Sequence, residues 1–204
     1  MEEQKPKILV VDDEAFNLEI LGEYLEDANY AAVMADNGQQ AWSLLEESPE
    51  RFEAVLLDRM MPEMDGMEVL TRIKAHPTLN TLPVIMQTAK ASKQDVLDGL
   101  QAGAYYYLTK PYDEEHMLAI VNTAVADYQR YRSLQKETLQ TAHTLCLMQN
   151  GRFQFRTLQE GRNLATLLAN ASPNAGNVVI GLSELMVNAV EHGNLGISYE
   201  EKSG

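Results

Sequence analysis

Along the first 110 residues, short apolar runs alternate with stretches in which apolar residues recur every three or four positions. The runs are Ile8–Val11, Ala31–Ala35, Ala54–Leu57, Pro83–Met86 and Tyr105–Leu108. Each is too short for a helix and lacks polar alternation, the pattern of a strand buried on both faces. Between them lie helical stripes: Ile20, Leu21, Tyr24 and Leu25; Ala41, Leu44 and Leu45; Met67, Leu70 and Ile73; and Val96, Leu97 and Leu100. Five strands alternating with helices predict an α/β fold, a doubly wound five-stranded parallel sheet with helices on both faces.

No Pro or Gly interrupts the chain between Tyr112 and Asn150. Leu118, Val121, Val125 and Tyr128 have the spacing of a fifth helix packed on the sheet. Beyond Ala126 the stripe weakens. If helical throughout, residues 112–150 would extend ~58 Å at 1.5 Å per residue, too far for one compact domain. Residues 127–150 are therefore expected to form a helical linker that packs on its own chain or pairs as a coiled coil in a homodimer. After Gly151, Phe153-Gln154-Phe155 alternates like a short strand. Leu158, Leu164, Leu167 and Leu168 then mark a helix ending near Pro173, and a last helix is expected from about Asn177 to His192. The expected organisation is an α/β domain over 1–126, the linker over 127–150, and a partial α+β segment over 151–204.

Composition narrows the function. The net charge is −14, and residues 1–50 alone carry 13 acids against 2 bases. Such a chain repels a phosphate backbone, so nucleic acid is an unexpected partner. The single cysteine, Cys146, excludes an internal disulfide and a cysteine-rich zinc site. There is no basic-then-apolar leader and no apolar run near ~18 residues, so a cytoplasmic location without a membrane partner is expected.

The chemistry lies where the strands end. Asp12 and Asp13 follow the first run, Asp58 the third, Thr88 the fourth and Lys110 the fifth. In an open parallel sheet these positions share the carboxyl edge, where such folds bind ligands. Each has an ordinary alternative: Asp12 and Asp13 could cap a helix, and Tyr107 among three tyrosines could be core. Their joint placement is harder to assign to chance. Three acids would then converge, and carboxylates so gathered are unstable unaided, since two unit charges 4 Å apart repel by about 4 kcal/mol at an effective dielectric near 20. A hard divalent cation such as Mg²⁺ relieves that repulsion. One carboxylate could then act as a nucleophile toward phosphorus, with Lys110 and Thr88 holding phosphoryl oxygens.

The segments Ile8-Leu9-Val10-Val11-Asp12-Asp13-Glu14, Leu57-Asp58-Arg59-Met60-Met61-Pro62-Glu63-Met64-Asp65-Gly66, Thr88-Ala89 and Thr109-Lys110-Pro111 resemble the receiver domain of two-component response regulators, with its flavodoxin-like fold. The resemblance covers about residues 5–126. It implies that Asp58 accepts a phosphoryl group from the phosphohistidine of a partner histidine kinase or phosphotransfer protein. It also implies that Asp13, Asp58 and the Met60 carbonyl bind Mg²⁺, with Asp12 acting largely through metal-bound water. Thr88 and Tyr107 match the family's switch pair, in which the hydroxyl moves toward the phosphoryl group and the ring turns inward.

Near the C-terminus, Glu184, Asn188 and His192 fall four residues apart on one helix. This resembles the N-box of histidine-kinase-like ATPases, especially the anti-sigma-factor serine kinases. It implies an Asn188 that holds the Mg²⁺ of ATP and a Glu184 that orients the attacking hydroxyl. The downstream glycine box of that family does not appear before Gly204, so the segment is expected to be the first half of such a domain in a longer protein. The expected function is a phosphorylation switch acting through the long helix, with a partner from an anti-sigma pathway. The alternative is a receiver-regulated ATP-dependent serine kinase. A transcription factor is not expected, because no basic recognition helix appears.

Overall fold

A computed structural model describes residues 5–89, 93–147, 152–170, 172 and 174–194. Chain order is β1 (Lys7–Val11), α1 (Ala15–Asp27), β2 (Ala31–Ala35), α2 (Gly38–Glu47), β3 (Ala54–Asp58), α3 (Gly66–Ala75), β4 (Val84–Thr88), α4 (Lys93–Gln101), β5 (Tyr106–Thr109), α5 (Glu114–Cys146), α6 (Leu158–Asn170) and α7 (Ala175–Asn188). The five strands form one parallel sheet in the order β2-β1-β3-β4-β5, as the alternation of runs and stripes predicts.

The central strands β1, β3 and β4 are buried on both faces, as their uninterrupted apolar runs imply. The edge strands are not: β2 is half-buried and Tyr106 of β5 is 41% exposed, because an edge strand is covered less completely. One face sets Leu9, Val11, Val55, Leu57, Val84 and Met86 against Ala41 and Leu45 of α2 and Val69, Leu70 and Ile73 of α3. The other sets Ile8, Val10, Leu56 and Ile85 against Leu18, Leu21 and Leu25 of α1 and Met117, Val121 and Val125 of α5. Parallel register brings the strand ends level, pairing Val11 with Leu57, Asp58 with Gln87 and Thr88 with Thr109. The residues that follow β1, β3, β4 and β5 therefore gather at one edge.

Two further expectations fail. The stripe Val96, Leu97 and Leu100 does not face inward as a unit: Leu97 is 51% exposed and Leu100 44%, and the buried residue of α4 is Gly99. The Tyr107 ring takes the space. A Cβ on Gly99 would lie 2.6 Å from Tyr107 Cε2, so only the residue without one can turn in. Nor does Phe153-Gln154-Phe155 form a strand. An isolated strand leaves its backbone ladder unpaired, and here the segment leads into a helix start. Thr157 Oγ1 accepts from the Glu160 N–H (3.2 Å), and Glu160 Oε2 accepts from the N–H groups of Arg156 (2.8 Å) and Thr157 (3.1 Å), a reciprocal cap for α6.

The chain divides into two compact units, Met1–Arg132 and Ser133–Gly204. Helix α5 extends from Glu114 to Cys146 and contributes residues to both. Within the second unit, Leu134, Thr138, Thr141 and Leu145 of α5 line a groove of about 280 Å³ with Leu167 and Asn170 of α6. The distal part of α5 thus faces its own chain there. Among the described residues, no helix is long and apolar enough to cross a membrane.

Candidate functional site

The site is built from strand ends. Asp58 closes β3 and is buried; Asp12 follows β1 and is 1% exposed. Lys110 follows β5, and its N–H donates to the Thr88 carbonyl at 2.7 Å, which ties it to the end of β4. Its Nζ donates to Asp12 Oδ2 at 2.6 Å and to Asp58 Oδ1 at 2.7 Å. The remaining oxygens are also held. Asp12 Oδ1 accepts from the Glu14 N–H and Asn17 Nδ2, each at 3.0 Å, and Asp58 Oδ2 accepts from the Met60 N–H at 2.7 Å. Asp12 thereby holds the turn that leads into α1, but the helix-cap alternative for Asp12 and Asp13 is not met, since the N-cap of α1 is Glu14 and takes no side-chain cap.

The loop after β3 is drawn tight beneath Asp58. Gly66 N–H donates to the Arg59 carbonyl (3.0 Å), and a Cβ on Gly66 would stand 2.2 Å from the Asp58 carbonyl oxygen. Asp65 caps α3 by accepting from the Glu68 N–H at 2.8 Å. These contacts fix the direction in which Asp58 leaves the sheet.

Asp12, Asp13, Asp58, Thr88, Lys110 and Met60 line one cleft of about 510 Å³. The structure brings the six residues expected at the phosphoacceptor site into it, and Tyr107 is joined to it through Arg59; Glu184 and Asn188, expected to serve ATP, lie on α7 in the second unit. Their positions differ in kind. Asp12, Asp58 and Thr88 form the buried floor, whereas Asp13 is exposed and Met60 is 71% exposed. Burial raises the Asp58 carboxyl above the ordinary carboxylate range, against the pull of Lys110 and the Met60 N–H. Burial also works to lower Lys110, but its two carboxylate partners outweigh it and the ammonium is favoured.

Among the described residues, no three acidic, histidine or cysteine side chains are disposed to hold a metal ion together. Two carboxylates converge instead, and the Lys110 ammonium sits between them. The donors present are oxygens throughout. Mg²⁺ keeps several waters and needs only one or two carboxylates, so the chemistry of this set fits that ion.

Tyr107 is buried, its ring against Gly99, and its hydroxyl accepts from Arg59 Nη1 at 3.0 Å. The ring therefore already lies inside. Arg59 Nη2 also pairs with Asp95 Oδ1 of α4 at 2.8 Å, and both residues line the cleft. Sequence reasoning missed Arg59 and Asp95. Arg59 was visible as the neighbour of Asp58, but a partner 36 positions away in a separate helix leaves no local signal. It also passed over Gln87, a wholly buried polar residue in an apolar strand, whose side-chain oxygen accepts from the Tyr112 hydroxyl. Among the described residues, its Nε2 has no hydrogen-bond partner.

In the second unit, Glu184 is exposed and Asn188 half-buried on α7. The helix continues as a π-helical turn, Ala189–Asn194, and the expected extent to His192 agrees with the two segments together. The His192 side chain and residues 195–204 lie outside the described residues.

The comparisons agree with the geometry. Residues 8–122 match the Response regulator receiver domain family, and the chain belongs to it. It is similar to the transcriptional regulatory protein BaeR of Escherichia coli O6:H1, 33% identical over 154 residues, covering 76% of this chain and 61% of that protein. The chain thus spans about three fifths of that relative's length. Among solved structures it is similar to the chemotaxis protein CheY4 of Vibrio cholerae (27% identity, TM-score 0.55, 59% of this chain and 98% of that one). It is also similar to the receiver domain of the sensor histidine kinase PA1611 of Pseudomonas aeruginosa PAO1, which holds a magnesium ion in its active-site cleft (29% identity, TM-score 0.55, 60% of this chain and 98% of that one).

Proposed function

We propose that this chain is a phosphorylation switch in which Asp58 accepts a phosphoryl group from the phosphohistidine of a histidine kinase or phosphotransfer protein. One observation carries the reading: a buried carboxylate at the carboxyl edge of the sheet, raised by burial and held by an ammonium it shares with Asp12. An Asp58 carboxylate oxygen attacks phosphorus, a P–O bond forms, and the N–P bond breaks with its electron pair passing to the donor's imidazole nitrogen. Lys110 then holds a phosphoryl oxygen, and the Thr88 hydroxyl donates to another. The residues that would hold Mg²⁺ are Asp13, Asp58 and the Met60 carbonyl, with Asp12 reaching it through water. When bound, the ion neutralises charge on the carboxylates and on the transferring oxygens.

For the output we propose a receiver over 1–126, a helical connection over 127–150 and a protein-binding or partial ATPase-like segment over 151–204. A homodimer through α5 and a partner from an anti-sigma pathway belong to the same reading. Transcriptional output, suggested by the name of BaeR, is not carried over. Helix α6 holds one acid, Glu160, against one base, Arg162, and α7 holds only the acid Glu184, so neither has the basic face of a recognition helix.

Incubation with acetyl phosphate and Mg²⁺ tests the reading. One phosphoryl group that base and hydroxylamine release should appear on the chain and none on Asp58→Asn. Equal labelling of that variant would place the acceptor elsewhere.

A further inference from the structure

Arg59 joins three elements around the cleft. Its backbone is pinned, because its N–H donates to the Gln87 carbonyl (2.9 Å) and its carbonyl accepts from Gly66 (3.0 Å). Only the side chain can change partners. That side chain reaches outward from β3 and divides its guanidinium, with Nη1 on the Tyr107 hydroxyl of β5 (3.0 Å) and Nη2 on Asp95 of α4 (2.8 Å). Gly99, one turn after Asp95, lets α4 close onto the Tyr107 ring. The guanidinium is therefore a polar bridge between α4 and β5 beside the candidate acceptor.

The same guanidinium borders the cleft that contains Asp58, Thr88 and Lys110. A phosphoryl group on Asp58 would add about −1.5 to −2 charges and three acceptor oxygens there. Guanidinium binds phosphate oxygens in a planar fork, and a dianion outcompetes a part-exposed single carboxylate such as Asp95. We infer that Arg59 is a positioning residue that exchanges Asp95 and the Tyr107 hydroxyl for phosphoryl oxygens, releasing α4 when Asp58 is modified. This inference rests on the phosphoacceptor reading of Asp58. It adds that the signal leaves the site through the residue next to the acceptor, as an exchange of ion-pair partners.

Amide hydrogen exchange on the full chain tests it, with beryllofluoride plus Mg²⁺ as the phosphoryl mimic. Without the mimic, Arg59→Gln and Asp95→Asn should each speed exchange across α4 (Lys93–Gln101) about tenfold, the scale of one charge-assisted hydrogen bond. The double variant should exchange no faster than Arg59→Gln alone, because that change already removes the contact with Asp95. With the mimic, wild-type α4 should reach the rate of the variants, the α4 of both variants should not change, and the loop after Asp58 should gain protection in all three. A wild-type α4 unmoved by the mimic while that loop is protected would overturn the Arg59 exchange and leave the phosphoacceptor reading intact. Additive effects in the double variant, or single variants without effect on α4, would also overturn it. A loop that gains no protection in any protein would overturn the phosphoacceptor reading and this inference with it.

Discussion

Replacing Lys110 with Met keeps the length of the side chain and removes its charge. The ammonium lies 2.6 Å from Asp12 and 2.7 Å from Asp58. At an effective dielectric near 20, each attraction amounts to about 6 kcal/mol before desolvation is counted. Taking Lys110 out of water offsets much of this, and removing one partner of a buried pair typically destabilises by about 3–5 kcal/mol, because the charges left behind stay buried. Asp12 and Asp58 would be left facing each other on the floor of the cleft. Urea unfolding of Lys110→Met should therefore show a midpoint roughly 2 M below wild type, taking a slope of about 2 kcal/mol per molar. Mg²⁺ should then stabilise the variant more than it stabilises wild type, because the ion can take over the neutralising role that the ammonium held. At a hundred times its Kd, an ion that binds only the native state adds about 2.7 kcal/mol. A variant as stable as wild type without metal would refute this reasoning, as would a Mg²⁺ gain equal in both proteins.

Gly66→Ala should cost about 1–3 kcal/mol by urea unfolding and reduce phosphoryl uptake, because its Cβ would meet the Asp58 carbonyl at 2.2 Å and Arg59 Cα at 2.9 Å, both backbone atoms that cannot turn away. Burial pushes the Tyr112 hydroxyl up to about 12 from an unfolded value of 10.0. Its folded value is the higher, so its contribution is complete below pH 10 and is lost as pH rises from 10 toward 12. Over that window, stability measured by denaturant should fall more steeply in wild type than in Tyr112→Phe, and parallel slopes would contradict the assignment. Sedimentation of the intact chain should reveal a reversible dimer that a chain ended at Ala126 does not form; monomers in both cases at high micromolar concentration would leave α5 without that role.

Much of the fold was legible because a parallel sheet leaves a strong mark. The central strands β1, β3 and β4, buried on both faces, read as unbroken apolar runs, and all five strands were located to within a residue or two. The strand-end residues were legible for a related reason. Position along a strand predicts the edge on which a residue emerges, so Asp12, Asp58, Thr88 and Lys110 could be grouped before any contact was known. Features set by long-range packing left no such mark. The Arg59–Asp95 pair joins two elements with no shared local pattern, and the inward turn of Gly99 depends on an aromatic ring from a different strand. At Phe153–Phe155 the alternation was real, but a strand also requires a neighbour, which periodicity does not report. The Thr157–Glu160 cap was available as a spacing of three and was overlooked.

The central claim is that the buried carboxylate beside Lys110 takes up the phosphoryl group. Tandem mass spectrometry of the intact chain after reaction with acetyl phosphate and Mg²⁺, with borohydride used to convert the acyl phosphate to a stable alcohol, locates the modified residue directly. Reduction is expected at Asp58 alone. Modification at Asp12, Asp13 or a histidine, with Asp58 unaltered, would contradict it.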